Sequence, residues 1–118
     1  QPSKDIISCI KNKGLLKIDT NPLRFIPEAD VIYTDTWISM GEEKEAEIRK
    51  KIFQPYQVNK KLLTDAKGGF LFMHCLPAHR GWEVTDDVID SENSVVFQQA
   101  ENRLHSQKAL LHFLYKPL

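Results

Sequence analysis

Cysteine is scarce, with only Cys9 and Cys75 in 118 residues. That excludes a disulfide framework, and a reducing cytosol is the expected setting. Net charge is missing too, since 16 Lys and Arg balance 16 Asp and Glu. A chain so balanced offers no polyanion-binding face, and nucleic acid is not an expected partner. No apolar run approaches the roughly 20 residues that span a bilayer, so no membrane segment is expected. The first five residues, Gln1 to Asp5, are polar and do not read as a secretory leader. Internal repeats, low-complexity tracts and flexible linkers are absent. So are GxGxxG, the P-loop, CxxC and HExxH, which leaves a nucleotide or a metal no motif to rest on.

What is present suits one globular domain over residues 1–118, with 42% hydrophobic and 27% charged residues. Ser3 caps a predicted helix over 2–13, which Gly14 stops. A short strand over 15–19 leads to a helical piece over 22–29. The β-branched run at 31–35 reads as a buried strand. A charged helix follows over 42–51, acids first and bases last, as the helix dipole favours. A short helix over 59–66 and two glycines precede an apolar strand over 70–74. Thr85 caps a short helix over 86–89. The run at 94–98 reads as a fourth strand, and the last helix carries Leu104, Ala109, Leu110, Phe113 and Leu114. Alternation of this kind predicts an α/β fold, an open and mostly parallel sheet with helices on both faces.

Ligands of such sheets bind outside the carboxyl ends of the strands. Three of the four predicted ends carry reactive or ligand-reading side chains: Asp35 with Ser39 and Met40 beyond it, His74-Cys75-Leu76, and Glu101-Asn102-Arg103. Parallel topology would gather them in one crevice. Each has a plainer explanation: a cap for the acid, a solvated arginine, a buried cysteine before a strand-ending Pro77. His74, Cys75 and His79 suggest a metal at first sight. Adjacent strand residues point to opposite faces, however, so His74 and Cys75 should not share one. Trp37 and Trp82 follow the two candidate loops, where they either shape a pocket or simply pack. Cys9, in the first helix, reads as inert.

Three motifs, Asp35-Thr36-Trp37-Ile38-Ser39-Met40-Gly41, His74-Cys75-Leu76-Pro77 with Ala78-His79-Arg80-Gly81, and Glu101-Asn102-Arg103, resemble the ornithine-binding, C-terminal half of the ornithine carbamoyltransferases. Tyr56-Gln57-Val58-Asn59 is also similar, and the likeness runs over nearly the whole chain. It implies a Rossmann-like domain and transfer of the carbamoyl group of carbamoyl phosphate to the δ-amine of L-ornithine, giving L-citrulline and phosphate. It implies that Asp35, Ser39 and Met40 hold the amino-acid end of ornithine. Cys75 falls at the family's proton-acceptor position beside the δ-amine. Cys75 and Leu76 would offer backbone carbonyls to the carbamoyl amide, and Arg103 would reach the carbamoyl oxygen. No metal or organic cofactor is implied, and the complete enzyme is expected to be a trimer-based homo-oligomer.

The departures carry expectations of their own. The family's N-terminal domain, with its Ser-Thr-Arg-Thr phosphate motif and its histidine-proline motif, is missing. So is the first strand of the second domain, whose end supplies an asparagine to ornithine. The 118-residue chain is therefore expected to be inactive alone and to bind ornithine weakly. A non-catalytic, Rossmann-like binding or assembly module that kept the motifs is the alternative.

Overall fold

The structure is a computed structural model and describes residues 3–10, 13–38 and 45–115. Its organising element is a pair of parallel strands, β1 (Val31–Thr34) and β2 (Leu71–His74), in register from Val31 opposite Leu71 to Thr34 opposite His74. β-branched and aromatic residues suit the pleat. Alternation sends Ile32, Phe72 and His74 inward, while Val31 and Leu71 stay exposed. Phe72 is completely buried and joins Ile26, Ile32, Val58, Val84, Val88, Ile89 and Val96 in one core.

Helix α2 (Ala46–Phe53) lies in the crossover between the strands. Glu45–Arg49 and Glu47–Lys50 ion pairs run along it, both with exposed carboxylates, as expected of a solvated face. The predicted start of this helix, residues 42–44, lies outside the described residues. Helix α3 (Asp86–Ile89) falls where the sequence places it, with Thr85 as N-cap residue, and buries Val88 and Ile89.

Several expectations are corrected. The first helix, α1, spans only Lys4–Ser8, capped as expected by Ser3 Oγ accepting from Ile6 N–H. No strand forms over 15–19; a single 3₁₀ turn, Lys13–Leu15, precedes irregular backbone. Residues 22–29 form two 3₁₀ turns, Pro22–Arg24 and Ile26–Glu28, each with a proline in its first positions. Residues 59–66 form hydrogen-bonded turns, started by Asn59 Oδ1 accepting from Leu62 N–H.

The largest change concerns 94–98. Only Ser94 bridges β2, opposite Phe72, where Phe72 N–H donates to Asn93 O and Val95 N–H to Phe72 O. Helix α4 (Val96–Tyr115) begins at once. Val95-Val96-Phe97 looks strand-like in isolation, but the run of Ala, Gln, Glu, Leu and Lys behind it propagates a helix. The described sheet therefore has two strands rather than four. The α/β class and the parallel pairing stand.

Val96 is the one buried residue of α4, and residues 100–115 are all exposed. A 20-residue helix is about 30 Å long. Its projection explains a radius of gyration of 17.0 Å, against about 13–14 Å for a compact chain of this length. No helix of the described residues is long and apolar enough to cross a membrane.

Candidate functional site

Parallel register puts the residues after Thr34 and His74 side by side. Cys75 Sγ–H donates to Asp35 Oδ1 at 2.8 Å, and the same oxygen accepts from Thr36 N–H at 2.7 Å. Both side chains face solvent. The thiol's hydrogen bond, with help from the Thr36 amide, holds the Asp35 carboxyl below its ordinary value of 3.8. Partial burial, then the hydrogen bond and charge of Asp35, push the Cys75 thiol above its ordinary 9.0. The pair is a carboxylate sharing a thiol proton, with net negative charge toward solvent. Such an edge attracts an ammonium group.

The loop after β2 is tightly held. Leu76 has a φ of +41° and a cis bond to Pro77. Its N–H donates to His74 Nδ1 at 3.0 Å. His74 is buried and Cys75 exposed, on opposite faces as the strand pattern requires. His74 N–H donates to Gln99 Oε1 at 3.0 Å, and Gln99 Nε2 donates to Tyr33 OH at 2.9 Å, which ties α4 to the ends of both strands. Arg80 is paired with Asp86 and Asp90. Those two carboxylates keep it charged, and it is not an available cation for a ligand.

A cavity of about 210 Å³ opens between Trp37, Lys50, Lys51, Gln54, Gln57, Gly81 and Trp82. Trp82 lies between the His79 ring, stacked at 4.7 Å, and Lys50 Nζ, 3.5 Å from its centroid. Trp37 packs on Phe53 at 6.1 Å. Both tryptophans thus pack and line the cavity. Gln57 Nε2 donates to Gly81 O at 2.8 Å, joining the Tyr56-Gln57-Val58-Asn59 motif to the loop. Gly81, at φ +82°, takes a turn that favours glycine. A larger groove of about 540 Å³ runs between residues 20–23 and 52–62. Tyr56 and Lys61 are its ionisable side chains, and no carboxylate, histidine or cysteine is among its lining residues.

Of the residues singled out from sequence, Asp35, Cys75 and Leu76 are brought together. Ser39 and Met40 lie outside the described residues. Arg103 does not follow a strand end; it is exposed, two turns into α4. No hydrogen bond or ion pair joins it to Asp35 or Cys75. Thr36, Gln99 and Glu83 were missed. The alternation of β2, which buries His74 and demands partners for it, could have pointed to Gln99 and Glu83; no such signal pointed to Thr36.

Residues 1–114 match the family model for the aspartate/ornithine carbamoyltransferase, Asp/Orn binding domain. The chain is 56% identical to an ornithine carbamoyltransferase of Pyrococcus horikoshii over 97% of its own length and 38% of that protein's. Its fold matches the ornithine carbamoyltransferase structure from Thermus thermophilus with a TM-score of 0.80 at 35% identity, covering 98% of this chain and 36% of that one. The corresponding structure from Pyrococcus furiosus gives 0.71 at 67% identity, over 78% and 29%. The chain spans about a third of the length of the curated relatives it matches.

Proposed function

The chain belongs to the aspartate/ornithine carbamoyltransferase family, as its Asp/Orn binding domain, and from that we propose that it forms the ornithine-binding part of an ornithine carbamoyltransferase. The full protein would transfer the carbamoyl group of carbamoyl phosphate to the δ-amine of L-ornithine, giving L-citrulline and phosphate. The observation that carries this reading is the 2.8 Å pairing of Cys75 with Asp35 at the ends of two parallel strands.

The chemistry needs a neutral amine, an oriented acyl phosphate and a stabilised oxyanion. An amine with a pKa of about 10 is mostly protonated at neutral pH. In the unliganded pair, Asp35 helps to hold the proton on Cys75. Ornithine's α-ammonium, docked on Asp35, would compete for that carboxylate and weaken two of the causes that raise the thiol. Once the thiol has lost its own proton to solvent, the Cys75 thiolate would accept the proton that the neutral δ-amine sheds as it attacks. The C–N bond forms at the carbamoyl carbon, and the C–O bond to phosphate breaks. Arg103, always cationic, supplies charge for the developing oxyanion, and the Cys75 and Leu76 carbonyls orient the carbamoyl amide. Ser39 and Met40 complete the grip on the amino acid.

Phosphate-binding groups would come from the part of the relatives that this chain does not cover. The family resemblance supports a trimer-based homo-oligomer, and the scarcity of cysteine supports a reducing, cytoplasmic setting. The test supplies carbamoyl phosphate to the full-length protein with ornithine, aspartate or putrescine and identifies the carbamoylated product. Citrulline from ornithine, with the other two acceptors inert, supports the reading; carbamoylation of aspartate or putrescine instead, or of none, overturns it.

A further inference from the structure

Glu83 is the ionisable group at this edge that the proposed chemistry leaves unused. Its side chain is completely buried. Oε1 accepts from His79 N–H at 2.6 Å and lies 3.4 Å from both His74 Nε2 and His79 Nδ1. Oε2 has no partner. A buried carboxylate so placed is costly to desolvate and needs a compensating role.

A fixed donor settles the proton of the His74 ring. Leu76 N–H donates to His74 Nδ1, so the proton of that ring sits on Nε2 and faces Glu83. Thr36 Oγ1 donates to Ile38 O at 3.2 Å and is hydrogen-bonded with His79 Nδ1 at 3.3 Å, which links Thr36 to the same ring. One carboxylate oxygen therefore takes a hydrogen bond from His79 N–H and lies 3.4 Å from a ring nitrogen of each of His74 and His79, the two ends of the loop. Between them lie Cys75, Leu76 in its left-handed conformation, and Pro77. Thr36, on the His79 branch, is also the residue whose amide donates to Asp35.

We propose that Glu83 is a positioning residue for the reactive loop. It holds His79 through its backbone N–H and packs against the buried His74 ring, and so sets the Cys75 thiol against Asp35 and fixes the Leu76 carbonyl. Its effect on turnover rests on the carbamoyltransferase reading; its effect on loop geometry does not.

The test uses the full-length protein with Glu83→Ala and Glu83→Gln. Alkylation by iodoacetamide is followed at Cys75 and Cys9 separately by peptide mass spectrometry. Exposed Cys9, beside α1, is the internal reference. Glu83→Ala should speed Cys75 alkylation about tenfold with Cys9 unchanged, because a displaced thiol loses the Asp35 hydrogen bond that holds its proton and forms thiolate more readily. It should lower kcat about 100-fold, the scale of a misplaced reacting group, with a much smaller change in KM for ornithine. Glu83→Gln, whose amide oxygen still accepts from His79 N–H, should recover most of both losses. An unchanged Cys75 rate in Glu83→Ala overturns the proposal, as does acceleration of Cys9 alongside Cys75, or failure of Glu83→Gln to recover either loss. If the wild-type protein makes no citrulline while the thiol rates behave as stated, the proposed activity fails and the positioning role stands.

Discussion

Cys75 Sγ donates a 2.8 Å hydrogen bond to Asp35 Oδ1 across residues 40 apart in sequence. The parallel register of Thr34 with His74 makes that contact. The thiol gives Asp35 a donor that stabilises its charge, and Asp35 gives the thiol a reason to keep its proton.

Asp35→Asn removes the charge and the better acceptor, while the burial of Cys75 remains. The midpoint of its alkylation-rate profile against pH should fall toward the ordinary 9.0. The stability linkage has two signs. Asp35, lowered in the fold, stabilises above its unfolded pKa of about 3.9, and that contribution is lost as pH falls through the folded value. Cys75, raised in the fold, stabilises below its unfolded pKa of about 8.5, and that is lost as pH rises through the folded value. Denaturant midpoints measured from acid to alkaline pH should show both losses in the wild type and a weaker dependence in Asp35→Asn.

Phe72→Ala should destabilise the fold by about 3–5 kcal/mol, since a fully buried ring at the centre of the core leaves a cavity. Chemical denaturation reads this directly. A loss below about 1 kcal/mol would place the core elsewhere.

Arg103 is exposed on α4, so Arg103→Ala should be close to neutral for stability, within about 0.5 kcal/mol. In the full-length protein it should lower kcat by about 100- to 1,000-fold, the usual loss on removing an oxyanion donor. Turnover within a factor of two of the wild type would remove Arg103 from the site.

The 118-residue chain by itself should form no citrulline and should bind ornithine weakly. Steady-state assay and calorimetric titration check the two statements, and turnover or tight binding by the isolated chain would contradict them.

Much of this was legible in the sequence where a local pattern and the final structure agree. Val31–Thr34 and Leu71–His74 are strands because alternation and β-branching favour them and the core takes the same side chains. Asp35 and Cys75 were legible as neighbours because parallel strands bring their ends together. Residues 94–98 misled because two valines and a phenylalanine carry strand propensity, and the long helix behind them decided the outcome. Arg103 was misplaced for the same reason: moving the helix start to Val96 carries it two turns from the strand end. Glu83 was invisible because its meaning depends on His74 and His79, which only tertiary packing brings to one oxygen.

The central claim is that Asp35, paired with Cys75, receives the cationic end of ornithine. Its most direct test is kcat/KM for ornithine in the full-length protein carrying Asp35→Asn. Losing a charged hydrogen bond to an ammonium group predicts a fall of about 100-fold, with the KM for carbamoyl phosphate little changed. A kcat/KM for ornithine within twofold of the wild type would contradict the account.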